Sequence, residues 1–149
     1  MDFCPVVWVV AVELEGYERI EHSGQFLFNW MLEKKHLVYK LVRVGDASEL
    51  EIHGLIALLD VPAEFRIHIQ LIESANDNKS PHKKMDRVAG CLLSFAVQLA
   101  FEKGYNGFTS LLPKTQLISL YVEKYGFTQY GRQLAIEGKA LIHLIQQYQ

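Results

Sequence analysis

The sequence predicts an α/β protein with a mixed sheet, in which an antiparallel meander is followed by a β-α-β-α-β series with helices against the sheet. Two observations indicate this fold class. Runs rich in β-branched and aromatic residues fill the first half of the chain, and the apolar residues change to helical spacing after the polar segment Ser74–Lys84. At 149 residues, the chain suits a single domain, 1–149, with one sizeable core.

The first half begins with a strand-like run. "PVVWVVAVE", residues 5–13, is dense in β-branched residues and predicts a buried strand. The next segment, Tyr17–Lys35, supports two interpretations, because a helical segment can precede four residues that alternate as in a strand. These four residues are Phe26, Phe28, Trp30 and Leu32.

Three further runs form the predicted meander. They are His36–Val44, Leu50–Leu59 and Phe65–Glu73, and Gly-Asp and Val-Pro turn signals separate them. Because short turns join strands that run in opposite directions, we expect antiparallel pairing between these runs.

Strand and helix alternate in the second half. From Val88, the apolar residues recur every three or four positions, which predicts a helix that Gly104 ends. A short strand in "GFTSLLP", a helix over Thr115–Tyr125, one or two strands in "FTQYGRQLAIEG" and a terminal helix over Lys139–Tyr148 follow. This order implies helices packed against a mixed sheet.

Composition and charge argue against several classes of protein. The formal net charge of -2 does not suit a general nucleic-acid binder, which usually carries a basic surplus. No apolar run approaches the roughly 20 residues that span a bilayer, and Asp2 stands where a signal peptide needs positive charge. We therefore expect a cytoplasmic protein without a nucleic-acid or membrane partner.

The cysteines and histidines predict no metal or disulfide chemistry. Cys4 and Cys91 lie in apolar surroundings without Cys-x-x-Cys spacing, so we expect reduced core residues. The histidines are scattered, with no carboxylate or cysteine at ligand spacing, so we expect no metal site.

The most distinctive stretch is "KKMDRVAGCLLSFA", in which a basic segment opens an apolar helix. The N-H groups at a helix start carry about half a positive charge and can hold a pyrophosphate. Lys83, Lys84 and Arg87 can add charge-assisted contacts. The backbone amides within reach are those near Val88, Ala89 and Gly90. The alternative is a solvated basic turn on a buried helix.

The chain from Phe65 to Gln133 resembles the acetyl-coenzyme A-dependent GNAT acyltransferase superfamily, in four pieces that stand in the family's order. A strand, "RIHIQLIES", leads to a basic loop and a helix with a Leu-Leu pair, "RVAGCLLSFAVQLAFEKGY", which ends in a Gly-aromatic turn. A strand follows, and then "KTQLISLYVEKYGFTQYG", which is similar to the family's helix that carries a tyrosine and closes on Tyr-Gly-Phe. This last part looks closest to a group of bacterial GNAT-like proteins.

The resemblance implies a GNAT-like fold with helices on both faces of the sheet, and acetyl-CoA (coenzyme A) as the cofactor. The family's pyrophosphate loop reads Gln/Arg-x-x-Gly-x-Gly/Ala. One register places Lys84 first, Arg87 at the glycine and Ala89 at the last small residue, and we favour it because it preserves the helix length. The other register begins with Arg87 and places Gly90 at the glycine.

The resemblance also implies catalytic roles. Tyr121 stands five residues before Gly126-Phe127, where relatives carry a tyrosine that protonates the leaving coenzyme A sulfur. The alternative for Tyr121 is core packing, and Tyr125, one step round the helix, is expected to be structural. Backbone N-H groups of a strand bulge, expected at Leu71 and Ile72, bind the acetyl carbonyl in such folds.

Two residues are candidates for the general base that takes the proton of the amine. Glu73, at the strand end, resembles the carboxylate that some relatives use, and the alternative is a surface carboxylate. His68 is the weaker candidate, because alternation points it to the opposite face from Glu73 unless a bulge intervenes.

Two functions follow from the resemblance. The first is an active N-acyltransferase on a small-molecule or peptide amine, which Tyr121 favours. The second is a catalytically reduced acyl-CoA sensor or interaction module, acting through a homodimer, which Arg87 at the glycine position and Lys114 in place of asparagine favour.

Overall fold

The computed structural model describes residues 7–43, 52–75, 82–113 and 117–148. Its strands are β1 (Val7–Ala11), β2 (Leu37–Arg43), β3 (Ile52–Val61), β4 (Arg66–Ser74), β5 (Thr109–Leu111), β6 (Thr128–Tyr130) and β7 (Gln133–Ile136). Its helices are α1 (Gly16–Ser23), α2 (His82–Glu102), α3 (Ile118–Tyr125) and α4 (Lys139–Tyr148), with short 3-10 turns at Trp30–Glu33 and Pro62–Glu64. The strands form one sheet in the order β1-β2-β3-β4-β5-β7-β6.

The predicted mixed α/β fold is confirmed. The three meander runs correspond to β2, β3 and β4, with ends that differ by one or two residues from the prediction. The pairing is antiparallel between β1 and β2, parallel between β4 and β5, and antiparallel from β5 to β7 and from β7 to β6. The one-or-two-strand segment after α3 forms both β6 and β7, and α4 has the predicted bounds.

The strand predicted from the alternation of Phe26, Phe28, Trp30 and Leu32 is wrong, whereas the helical segment that can precede these residues is confirmed as α1. The described structure has α1 there, followed by Gly24 at φ 68° and a 3-10 turn that Asn29 caps by accepting the N-H of Met31. Trp30 is 2% exposed, while Leu32 is 67% exposed. Residues two apart in a strand share a face. The four alternating residues therefore do not form one buried strand face, because Trp30 is buried while Phe28 and Leu32 are exposed.

Two compact units can be distinguished by their internal contacts. One comprises Met1–Ala57 with Leu71–Leu92, and the other comprises Leu58–Gln70 with Leu93–Gln149. The boundaries fall inside β3, β4 and α2, so these elements contribute residues to both units. The single domain expected from the length stays a prediction.

The first unit has a core between its helical segment and the strands β2 and β3. The buried residues of this core are Tyr17, Ile20, Trp30, Val38, Leu55 and Ala57. On β3, Gly54 allows α2 to approach closely, because a Cβ at this position would lie 2.6 Å from Cγ1 of Val88 and 3.0 Å from Cδ1 of Leu92. On α2, Cys91 is buried and reduced, as predicted, and Cys4 lies outside the described residues.

The second unit is built on β4, β5 and β7. Their in-register rows Ile67–Thr109–Ile136 and Ile69–Leu111–Leu134 are buried. Because paired residues share a face of a sheet, these rows define one apolar face. The intervening row, His68–Ser110–Ala135, lies on the opposite face.

Candidate functional site

The Tyr-x-x-x-x-Gly-Phe sequence forms the C-terminal cap of α3. Gly126 takes the left-handed conformation, with φ 84°, and donates its backbone N-H to the carbonyl of Tyr121. The N-H of Phe127 reaches the same carbonyl at 3.2 Å. Glycine suits this conformation because it lacks a Cβ. Gly126 and Phe127 therefore fix the position of the Tyr121 backbone carbonyl directly.

The Tyr121 side chain lies in an aromatic cluster. The ring of Phe127 meets it edge-on at 5.8 Å between centroids, and the ring of Tyr125 lies at 5.9 Å. Burial raises the pKa of Tyr121, so the phenol is protonated at neutral pH and can donate a proton. Its hydroxyl has no hydrogen-bond partner among the described residues. Tyr125 is 3% exposed and packs against Tyr148, in keeping with a structural role.

Glu73 is buried, so the alternative of a surface carboxylate is wrong. It is 5% exposed and accepts three hydrogen bonds from the segment that precedes and begins the 3-10 turn. The N-H of Leu27 reaches Oε2 at 2.6 Å, the N-H of Phe28 reaches Oε1 at 3.3 Å, and the indole N-H of Trp30 reaches Oε1 at 2.9 Å. Both carboxylate oxygens therefore hold the segment 27–30 in place.

The two candidate bases have different partners. Glu73 contacts the segment 27–30, while Nδ1 of His68 lies 3.0 Å from Nη1 of Arg66 and 2.9 Å from Oγ of Ser110. Burial and, to a lesser extent, the charge of Arg66 lower the pKa of His68, so the ring is neutral at neutral pH. No bond between the two candidates occurs in the described part of the chain.

The basic stretch begins inside a helix. Because α2 starts at His82, Val88 is its seventh residue. The amides of Val88, Ala89 and Gly90 therefore lie where helix N-H groups bond to carbonyls four residues earlier. The N-H groups that a helix leaves without an intrahelical partner are those of its first four residues, 82–85. The place expected for an anion thus moves one to two turns toward the N-terminus of α2.

The other residues expected at the cofactor site lie on α2 and β4. Lys83 and Lys84 are in the first turn of α2, and their side chains lie outside the described part of the structure. Arg87 is half-buried and has bonded partners of its own. Leu71 and Ile72 are half-buried in β4, and Leu71 packs against the core of the first unit.

The sequence interpretation missed the cluster around Arg66. Its Nε donates to Glu64 at 2.6 Å, and its Nη1 donates to Oγ of Ser110 at 2.6 Å. The alternation in "RIHI" indicates that Arg66 and His68 share a face of β4. Ser110 joins them only through the parallel register of β4 and β5, and no local pattern predicts that register.

Two features are absent from the described ranges 7–43, 52–75, 82–113 and 117–148. No group of three or more His, Cys, Asp or Glu side chains is arranged to hold a metal ion there. Among the helices of these ranges, none has the length and apolar character needed to cross a membrane.

Solved structures of acetyltransferases match the chain closely in fold. The spermidine/spermine N-acetyltransferase SpeG from Vibrio cholerae matches with a TM-score of 0.62 and 11% identity, over 92% of this chain and 96% of that one. An IAA acetyltransferase from Bacillus cereus matches with a TM-score of 0.60 and 16% identity, over 89% and 100%. A GNAT family acetyltransferase from Brucella melitensis, solved in complex with acetyl-CoA, matches with a TM-score of 0.54 and 10% identity, over 89% and 88%.

No protein-family model and no curated protein sequence matches the chain. The strand order and the structural matches define a mixed α/β fold. Within that class, the protein has the fold of the GNAT acetyltransferases. The resemblance of Phe65–Gln133 is thereby confirmed at the level of the fold.

Proposed function

We propose that the protein is an N-acyltransferase, which moves an acetyl or other acyl group from a coenzyme A thioester to an amine. The observation that carries the proposal is Tyr121, a protonated phenol that the cap formed by Gly126 and Phe127 holds in a GNAT fold. A buried phenol with a raised pKa suits a general acid, because it keeps its proton until a stronger base forms beside it.

The proposed reaction is direct. The lone pair of the neutral amine attacks the thioester carbonyl, the C-N bond forms, and the tetrahedral oxyanion collapses with cleavage of the C-S bond. The proton of Tyr121 passes to the leaving thiolate, and the proton lost by the attacking nitrogen passes to a base or to water. The phenolate of Tyr121 then takes up a proton from solvent, which restores the phenol. No enzyme nucleophile is needed in this sequence.

The donor substrate is proposed to bind along β4 and the start of α2. Backbone N-H groups of Leu71 and Ile72 would polarise the acyl carbonyl. The pyrophosphate would lie at the first turn of α2, with Lys83, Lys84 and Arg87 as the nearby cationic residues. Together, these charges and the four N-H groups of the first turn favour the binding of a dianion.

Glu73 is proposed as a positioning residue rather than as the general base. Its carboxylate accepts three N-H donors, and these bonds compete with any proton that it would take. Glu73 holds the segment 27–30, and we propose that this segment forms part of the acceptor site. The shape of that part of the site would then depend on Glu73.

The first test is a thermal-shift series with acetyl-CoA. Ligand at about 100 times its dissociation constant stabilises by roughly 2.7 kcal/mol, so a clear upward shift of Tm is expected. A panel of small-molecule and peptide amines then measures acyl transfer through release of free thiol. Binding together with turnover supports the proposal, and the absence of any shift contradicts it.

The second candidate function is an acyl-CoA sensor or interaction module. It is favoured by Arg87, a bulky, half-buried residue that already has partners at the position where the family places glycine. This function predicts a thermal shift without turnover on any amine. A change of oligomeric state on binding acetyl-CoA, measured by sedimentation, would support this reading and its predicted homodimer.

A further inference from the structure

A second polar site lies in the second unit, on the face of the sheet opposite its apolar rows. His68, Ser110 and Ala135 are paired across β4, β5 and β7. Arg66 and Gln133 lie two residues before His68 and Ala135, respectively, and therefore share this face. Apart from His68, the weaker candidate for the general base, none of these residues has a role in the proposed acyl transfer.

A cavity of about 340 Å³ opens on this face. Its polar lining is formed by Glu64, Arg66, Ser110 and Gln133. Its apolar lining is formed by Phe108, Ala135 and the ring of Tyr130. Sites for small molecules commonly measure about 300 to 1,000 Å³ and combine apolar walls with a few placed polar groups, so this cavity suits a small ligand.

The guanidinium of Arg66 is held in a defined orientation. Its Nε donates to Glu64 at 2.6 Å, and its Nη1 donates to Ser110 at 2.6 Å and lies 3.0 Å from Nδ1 of His68. Arginine can only donate, so Nδ1 accepts, and the neutral ring carries its proton on Nε2. A charged group that is already ordered loses little conformational entropy when a ligand binds.

One edge of the Arg66 guanidinium is available to bind a ligand. Nη2 has no hydrogen-bond partner in the part of the chain that the structure describes. Glu64, the partner of Nε, has a side chain that is 58% exposed and can move into solvent. With Glu64 displaced, Nε and Nη2 present the pair of donors that binds both oxygens of a carboxylate.

The residues that line the cavity favour one kind of anion over others. A single arginine, partly neutralised by Glu64, suits a monoanion better than a phosphate dianion. The rings of Phe108 and Tyr130 and the methyl group of Ala135 offer apolar surface for a planar body. Ser110, which is 2% exposed, adds a hydroxyl that can turn from His68 to a ligand oxygen.

We propose that this face binds a small planar carboxylate, held by Arg66 and Ser110 and seated against Phe108 and Tyr130. Glu64 competes with the ligand for the guanidinium and so sets the affinity of the site. The proposal does not require acyl transfer to take place, so it is tested without acetyl-CoA.

The experiment is a titration of the ¹⁵N-labelled full chain with benzoate, followed by amide shifts, with uncharged benzamide as the matched probe. Saturable shifts are expected at Phe108, Ser110 and Gln133 with benzoate only. Arg66→Gln should weaken binding at least about tenfold, because it removes a charge-assisted pair of hydrogen bonds. Glu64→Gln should strengthen binding about two- to fivefold, because it removes an exposed competing charge.

Each outcome decides the proposal. The loss with Arg66→Gln and the gain with Glu64→Gln support it. Binding of benzamide equal to that of benzoate, unchanged affinity in Arg66→Gln, or no saturable shift in the wild-type protein overturns it. If Arg66→Gln fails to fold, Glu64→Gln still decides, because Glu64 is largely exposed, and affinity that is unchanged or lower in this variant also overturns the proposal.

Discussion

The indole N-H of Trp30 donates a hydrogen bond of 2.9 Å to the carboxylate of Glu73, which lies 43 residues further along the chain. Trp30 is 2% exposed and Glu73 is 5% exposed, so the bond is shielded from water. It connects β4, the strand proposed to hold the acyl group, to the segment 27–30 of the same unit. The position of that segment therefore depends on a buried charge.

Replacing this charge should destabilise the protein. In Glu73→Gln, an amide NH₂ takes the place of one oxygen and faces an N-H donor. We expect a loss of about 1 to 3 kcal/mol in the free energy of unfolding, measured by urea denaturation. Glu21→Gln on the exposed side of α1 is the matched control and should change it by less than about 0.5 kcal/mol. Equal stability of the two variants would contradict the role of Glu73 in holding the segment.

The kinetics of Glu73→Gln separate positioning from proton transfer. If Glu73 positions the segment 27–30, the KM of the amine should rise while the acid limb of the pH-rate profile keeps its midpoint. If Glu73 takes the proton of the amine, kcat should fall and the acid limb should disappear. The profile of kcat/KM against pH is the measurement, and the second result would return Glu73 to the role of general base.

Tyr121→Phe should lower kcat about a hundredfold to ten-thousandfold, because it removes the proton that the leaving thiolate takes. The affinity for acetyl-CoA, measured by thermal shift, should stay the same. Tyr125→Phe is the control, since Tyr125 packs against Tyr148 and has no proposed part in the chemistry. A variant Tyr121→Phe with wild-type kcat would remove Tyr121 from the mechanism.

The raised pKa of Tyr121 also predicts how stability depends on pH. A group whose folded pKa is raised contributes stability that is complete below its unfolded pKa and is lost as pH rises through the folded pKa. The free energy of unfolding should therefore fall above the ordinary tyrosine value of 10.0. Other groups titrate in the same range, so the informative quantity is the difference between wild type and Tyr121→Phe. The difference in free energy of unfolding between wild type and Tyr121→Phe should shrink, or reverse in favour of the variant, as pH rises. A difference that stays constant would argue against a raised pKa of Tyr121 in the folded protein.

Gly126→Ala should destabilise α3 more than a matched glycine substitution does. Gly126 has φ 84°, and an added Cβ would lie 3.2 Å from Cβ of Ala140. Gly131 has φ 64°, and an added Cβ there meets nothing within 4 Å. Both substitutions incur about 1 to 2 kcal/mol of left-handed strain, so the larger loss expected for Gly126→Ala reports the contact with Ala140. Equal losses of the free energy of unfolding in the two variants, measured by urea denaturation, would show that the structure relaxes to accommodate the added Cβ near Ala140.

Local patterns predicted most of the fold. The turn signals that separate the runs of β2, β3 and β4, and the period of three to four from Val88, each depend on neighbours a few residues away. The segment Tyr17–Lys35 was the exception. Trp30 is buried in a capped turn and donates to Glu73 on β4, a partner that no local spacing reveals.

By itself, the sequence determined the order of the elements outside Tyr17–Lys35, the resemblance to GNAT acyltransferases and the tyrosine that stands before Gly126-Phe127. The tertiary structure alone decided that Glu73 is buried and bonded to the segment 27–30, that α2 begins before the basic residues end, and that Arg66, His68 and Ser110 form one cluster. The physical reason is the distance along the chain over which each kind of interaction acts. Periodicity and capping act between near neighbours, whereas a buried carboxylate or a cross-strand cluster depends on which distant backbone groups the sheet register brings within hydrogen-bond distance.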